Sequence, residues 1–134
     1  MALTLRLLGL TSAVCRLPAG APLPEWCAPA AQTHISWTEE ELSIVCDEGR
    51  VPEDVQCERG WRTLMLHGPF AFELTGILAQ VLQPLAQAGV GIFAVSTFDT
   101  DYVLVKQSQL EAAIAALRAA GHTVLDQGLS SIPG

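Results

Sequence analysis

The 134-residue chain lacks the basic clusters and long apolar runs of nucleic-acid-binding and membrane-spanning proteins. Its seven lysines and arginines are scattered, and the formal net charge is −7. A surface of this charge cannot neutralise several phosphates, so nucleic acid is excluded as a partner. No run approaches the roughly 18 apolar residues that a bilayer span requires, which excludes a membrane helix.

The four cysteines lack the paired spacing of a zinc site. The apolar segment 3–14 is interrupted by Arg6, and it fits a strand better than the core of an export signal. We therefore expect reduced thiols, no bound metal and a cytoplasmic location.

A catalytic pattern is also missing. The chain contains no G-x-G-x-x-G or P-loop sequence, and its serines lack the glycines of a nucleophile elbow. His34, His67 and His122 have no neighbouring carboxylate at catalytic spacing. We expect no enzyme and no cofactor, with an enzyme of unrecognised type as the alternative.

Two internal matches indicate that the chain contains two copies of one folding unit. Residues 36–45 resemble residues 96–105 at a spacing of sixty, and Leu5 and Leu7 match Leu64 and Leu66 at a spacing of fifty-nine. Chance similarity between two amphipathic hairpins is the alternative. The predicted domains are a degenerate unit over 1–60, a second unit over 61–126 and a tail over 127–134.

The second unit shows a regular alternation of strands and helices. A capping box at Ser108 and Glu111 opens its second helix, and Pro84 should kink or end the first. The predicted elements are a strand over 61–67, a helix over 72–89, strands over 92–98 and 102–106, a helix over 108–121 and a strand over 122–125. This order predicts the α+β class with a ferredoxin-like βαββαβ arrangement.

The first unit should follow the same order with degenerate helices. Four prolines between residues 18 and 29 exclude a long helix after the first strand, predicted over 4–10. A short second helix is predicted from Pro52 to about Gly60. Apolar residues make up 50% of the chain, and both faces of the second unit's sheet are apolar at its centre, so a partner should cover one face.

Asp101 is the sharpest candidate for ligand binding. With the hydroxyls of Ser96 and Thr97 across the hairpin, its carboxylate would suit an ammonium or guanidinium group. The alternative is a turn residue that caps its own backbone. Gly76, predicted in mid-helix, is explained either by close helix packing or by the approach of a ligand to the backbone.

The loop with Gly68 and Phe70 precedes a helix whose first amides would suit a carboxylate. In the alternative interpretation, Phe70 only covers the core. A free amino acid carries both an ammonium and a carboxylate, and this loop and Asp101 would suit its two ends.

The chain resembles the tandem ACT-domain proteins of the CASTOR-like, aspartate kinase-like family, in its short bacterial form. The resemblance rests on Gly76-Ile77-Leu78, residues 84–92 and above all Ser96 to Val105. It implies βαββαβ units that bind an amino acid at an interface between units. The ligand contacts that it implies are Gly76, Ile77, Ser96, Thr97, Phe98 and Asp101.

The CASTOR-like arginine sensors have four such units, whereas this chain has two. The resemblance therefore implies a homodimer, with output through a separate regulated protein. We expect an amino-acid-binding regulator. The alternative is a structural interaction module without a ligand.

Overall fold

The computed structural model describes residues 2–27, 32–67 and 76–126. Within these ranges the chain forms a mixture of strands and two α-helices, which confirms the predicted α+β class. In chain order the elements are β1 (Thr4–Pro18), β2 (His34–Trp37), β3 (Glu41–Asp47), β4 (Cys57–Leu66), α1 (Ile77–Gln87), β5 (Ile92–Ser96), β6 (Asp101–Lys106), α2 (Leu110–Ala119) and β7 (Thr123–Asp126). Short 3-10 turns lie at Glu25–Cys27, Glu48–Arg50 and Gln107–Gln109.

The chain divides into two compact units. Unit 1 contains residues 1–9 and 62–134, and unit 2 contains residues 10–61. The units interleave along the chain because β1 and β4 each continue from one into the other, whereas the predicted repeats follow one another. The two repeats over 1–60 and 61–126 stay a prediction about how the chain arose.

Unit 1 has the strand order β7-β1-β4-β6-β5. β1 runs parallel to β7, with Thr4 opposite Thr123, and β5 runs antiparallel to β6, with Ile92 opposite Val105. From β4 onward the unit reads strand, helix, strand, strand, helix, strand, as the sequence predicts for a ferredoxin-like arrangement. The first residues of β1 add a strand between β4 and β7.

One core holds unit 1 together. Alternate residues of the strands face inward, and every third or fourth residue of each helix packs against them. The largest fully buried side chains include Leu5, Leu64, Leu66, Val81, Leu85, Val103, Val105 and Leu117. Each contributes about 1.5–3 kcal/mol relative to an exposed position. Both helices therefore lie on the same face of the sheet.

Unit 2 has the strand order β2-β3-β1-β4, and its core contains several thiols. The predicted short helix over 52–60 is wrong, because β4 already begins at Cys57. The guanidinium of Arg59 donates to the carbonyls of Glu48 and Val51 at 2.9 and 3.0 Å, and Gly60 N–H donates to the Glu48 carboxylate at 2.9 Å. These bonds hold the segment in an extended conformation. The first predicted strand was also too short, since β1 continues to Pro18.

The two hairpins close with the same turn chemistry. Thr38 N–H donates to the Glu41 carbonyl at 2.9 Å, and Thr97 N–H donates to the Thr100 carbonyl at 2.8 Å. In both turns the threonine hydroxyl also donates to that carbonyl, at 3.1 Å. Thr38 and Thr97 are fifty-nine residues apart, as are Leu5 and Leu64. A single register of fifty-nine thus covers both matches, and it replaces the spacing of sixty that the sequence suggested for the hairpins.

The predicted capping box is not formed. Ser108 lies in a 3-10 turn, and α2 begins at Leu110 after Gln109, whose side chain does not cap the helix. The Gln109 amide instead donates to the Gly89 carbonyl at 3.2 Å and accepts from Gly91 N–H at 3.3 Å. This side chain therefore ties the segment between α1 and β5 to the start of α2. No helix in the described part of the chain is long and apolar enough to cross a bilayer.

Candidate functional site

The candidate site lies at the end of unit 1 where β5 turns into β6. Ser96 and Asp101 are opposite each other across the hairpin, and the Ser96 hydroxyl donates to the Asp101 carboxylate. Asp101 is half-buried. The structure thus brings two of the predicted site residues into direct contact.

Thr97 serves the turn between these two residues. Its hydroxyl donates to the Thr100 carbonyl at 3.1 Å and accepts from Thr100 N–H at 3.4 Å. Both roles of the hydroxyl are used within the turn, so Thr97 shapes the site more than it offers a donor to a ligand. Phe98, at the tip, is 80% exposed.

Thr100 is a site residue that sequence reasoning missed. Its side chain is 9% exposed, and its hydroxyl donates to the Leu66 carbonyl at 2.7 Å. This bond fixes the hairpin turn to the end of β4. The sequence does show a hydroxyl side chain directly before Asp101. Only the tertiary fold identifies the carbonyl to which this hydroxyl donates.

Gly76 is the residue that precedes α1, and it adopts a left-handed conformation with φ 74°. The prediction of a mid-helix glycine is wrong, since α1 begins at Ile77, directly after Gly76. An added Cβ at Gly76 would meet no atom within 4 Å of the described residues. Glycine is therefore required here by backbone conformation rather than by close packing.

The start of α1 lies at the same end of unit 1 as the hairpin. The other end of α1 is held by Gln109, which follows the end of β6 that is remote from the hairpin. With its 11 residues, α1 spans about 16 Å at a rise of 1.5 Å per residue. The Ile77 side chain is 7% exposed and belongs to the core.

Two predicted contacts, Gly68 and Phe70, lie outside the described residues. The proposed role of their loop in binding a carboxylate stays a prediction. Within the described ranges, no group of histidine, cysteine or acidic side chains is arranged to hold a metal ion.

Family models match both parts of the chain. The model described as the ACT domain matches residues 56–119. A second model, described as an N-terminal domain, matches residues 11–54.

Three known proteins illustrate what the chain resembles in sequence or fold. A crystal structure from Agobacterium tumefaciens is 40% identical with a TM-score of 0.90, over 95% of either chain. The human protein named cytosolic arginine sensor for mTORC1 subunit 1 is 32% identical over an alignment of 91 positions, and the match covers 62% of this chain and 28% of that protein. Aspartate kinase from Clostridium acetobutylicum is 12% identical with a TM-score of 0.62, over 84% of this chain and 33% of the kinase. The chain thus spans less than a third of the curated relative that it matches, and the kinase shares the fold alone.

Proposed function

This chain belongs to the ACT-domain family, and we propose that it is an amino-acid-binding regulatory protein without catalytic activity of its own. The observation that carries the proposal is the contact between Ser96 and Asp101 at the hairpin end of unit 1. A half-buried carboxylate beside a hydroxyl is suited to bind the cationic group of an amino acid.

The start of α1 supplies a counterpart for the carboxylate of the ligand. The first amides of a helix point outward and favour an anion. Gly76 has no side chain, and a Cβ there would meet no atom of the described residues within 4 Å. In the proposed complex, the ligand carboxylate approaches the backbone at Gly76 and Ile77 while its cationic group binds Asp101. The sequence prediction adds Gly68 and Phe70 to the carboxylate side.

The homologous hairpin of unit 2 lacks this carboxylate. In the register of fifty-nine residues, Trp37 and Leu42 stand where unit 1 has Ser96 and Asp101, and they are likewise opposite each other. Neither can bind a cation by charge. We therefore propose one amino-acid site per chain, built on the hairpin of unit 1.

The exposure of Phe98 supports a second copy of the chain as cover for the site. The phenyl ring is 80% exposed beside the polar pair, and a covering copy of the chain would bury it. We propose a cytoplasmic homodimer in which an ACT unit of the second copy covers the ligand. Ligand binding would then change a surface that a separate regulated protein recognises.

The ligand proposal is tested by thermal shift with each of the twenty common amino acids on the full chain. Arginine is the first probe, because the Asp101 carboxylate suits a guanidinium and the curated relative carries arginine sensor in its name. At a hundred times its Kd, the true ligand should add about 2.7 kcal/mol to the free energy of unfolding. Calorimetry should then give one ligand per chain. If no amino acid shifts the transition, the protein is an interaction module without a ligand.

The dimer is tested separately by light scattering at micromolar concentration. We expect twice the chain mass of 14.3 kDa. A monomer that still binds an amino acid would refute the covering copy and leave the site on unit 1 intact.

A further inference from the structure

Unit 2 contains a cluster of thiols that amino-acid binding does not use. Cys15 of β1 lies between Cys46 of β3 and Cys57 at the start of β4. All four cysteines of the chain are free thiols in the structure. The fourth, Cys27, is engaged elsewhere, because its Sγ donates to the Pro24 carbonyl at 3.0 Å.

The strand register separates the two neighbours of Cys15. On β3, Ile44 is opposite Cys15 and Cys46 is opposite Ala13, so Cys46 is a diagonal neighbour. On β4, Arg16 N–H donates to the Gln56 carbonyl at 3.0 Å. In an antiparallel ladder this bond places Cys15 directly opposite Cys57.

Only the directly opposite pair suits a disulfide. Opposite residues of antiparallel strands have Cβ atoms about 4.5–5.5 Å apart, against about 7–8 Å for diagonal neighbours. A disulfide needs about 3.5–4.5 Å between the Cβ atoms. Cys15 and Cys57 can reach that distance by a small movement, whereas Cys15 and Cys46 would require a shift of the strands.

The same pair is the accessible one. Cys15 and Cys57 line an open cavity of about 220 Å³ together with Val14, Arg16, Glu41, Gln56 and Glu58. Cys57 is half-buried, while Cys46 is fully buried and does not line the cavity. A small oxidant that enters the cavity meets Cys57 before the other thiols.

We propose that Cys15 and Cys57 form a redox-active dithiol, which a small peroxide converts into a cross-strand disulfide. The Cys57 thiolate attacks one oxygen of hydrogen peroxide, and the O–O bond breaks to give a sulfenic acid and, after protonation, water. The Cys15 sulfur then attacks the sulfenic sulfur. The S–O bond breaks, and the leaving hydroxide takes up the Cys15 proton to form a second water. Two thiols and one peroxide thus give one disulfide and two waters.

Cys46 keeps Cys15 protonated until the second step. The hydrogen bond between Cys15 and Cys46, together with burial, raises the pKa of Cys15 well above its usual range. The same hydrogen bond lowers the pKa of Cys46. Cys15 is therefore a thiol at rest, and it keeps its proton until the leaving hydroxide takes it up.

The test uses the reduced full chain, treated with hydrogen peroxide under native conditions and then alkylated in denaturant. We expect four labels per chain before treatment and two afterwards, with peptide mapping that joins Cys15 to Cys57. Dithiothreitol should restore all four labels.

Two conservative variants make the assignment specific. Cys57→Ser removes the accessible thiol, so its three remaining cysteines should all be labelled after treatment. Cys27→Ser is the matched control and should still lose two labels. Circular dichroism verifies that both variants fold. Four surviving thiols, a Cys15–Cys46 bridge, or oxidation of Cys57 that stops at the sulfenic or sulfinic acid would each overturn the proposal.

Discussion

His122 supplies the hydrogen-bond donor that Pro84 removes from α1. Pro84 lies inside the helix and has no N–H for the Gln80 carbonyl, yet α1 continues without a break from Ile77 to Gln87. Nε2 of His122 lies 2.9 Å from that carbonyl, and Leu3 N–H lies 3.1 Å from Nδ1. The two partners require the neutral tautomer with the proton on Nε2. A buried histidine therefore joins β1 to the helix at its proline.

We predict that His122 and Pro84 are energetically coupled. His122→Ala leaves the Leu3 amide and the Gln80 carbonyl without this ring, which should cost about 1–3 kcal/mol for each group. In a background with Pro84→Ala, residue 84 regains an N–H for the carbonyl, so His122→Ala should cost less. Urea unfolding of the two single variants and the double variant measures the coupling, for which we expect at least about 0.5 kcal/mol. Strictly additive losses would contradict the role assigned to the ring.

We predict that Gly76→Ala weakens ligand binding beyond its effect on stability. Gly89, at the other end of α1, has the same φ of 74° and equally open space around its missing Cβ, so it is a matched control. Each alanine variant should lose about 1–2 kcal/mol of stability from the left-handed conformation. Calorimetry with the identified ligand should show lower affinity for Gly76→Ala and unchanged affinity for Gly89→Ala. Equal affinities would remove Gly76 from the site.

Much of the fold could be read from the sequence, because hydrophobic periodicity and turn residues are local signals. The hairpin of β5 and β6, the end of α1 near Gly89 and the end of α2 near Gly121 all lie within a few residues of the predicted positions. The long strand β1 could not be predicted to its end, since Thr11 and Ser12 interrupt its apolar pattern. Its extension depends on pairing with β3, which is a tertiary property.

The candidate site was predicted only where its residues are close in sequence. Ser96 and Asp101 are five positions apart, so a hairpin turn is enough to bring them together. The Leu66 acceptor of Thr100 is 34 residues away, and no local signal identifies it. Gly76 was assigned to a helix interior because its left-handed conformation leaves no mark on the apolar pattern.

We predict that Thr100→Val destabilises unit 1 while Thr100→Ser does not. Valine matches the shape of threonine but leaves the Leu66 carbonyl without its donor, which should cost about 1–3 kcal/mol. Serine keeps the hydroxyl and serves as the control. Chemical unfolding of both variants measures the difference. A loss of the same size in the serine variant would assign the effect to packing of the methyl group.

We predict that the stability of unit 2 falls as the solution is acidified. Burial lowers the pKa of His34, whose Nε2 lies 3.1 Å from Gln32 Oε1. The unfolded chain, with a histidine pKa of about 6.5, then takes up a proton more readily than the folded chain. The stability that neutral His34 contributes is complete above the pKa of the unfolded chain. It is lost as the pH falls from that value toward the lower pKa of the folded chain. Unfolding of the wild type and His34→Gln across this window should show a shallower decline in the variant. His67→Gln, at an exposed position, is the control, and parallel curves for all three proteins would contradict the prediction.

The prediction on which the proposed function rests concerns the charge of Asp101. Asp101→Asn keeps an oxygen that can accept from the Ser96 hydroxyl, so its stability should change little. Binding of the identified amino acid should weaken by about 1.5–3 kcal/mol, or roughly 10–150-fold in Kd, because a hydrogen bond to a charged group is lost. Asp99→Asn, two residues away in the exposed turn, changes the net charge equally and is the control. If calorimetry finds the same weakening in both variants, the effect comes from the net negative charge of the chain. If the affinity of Asp101→Asn is unchanged, Asp101 serves the turn alone.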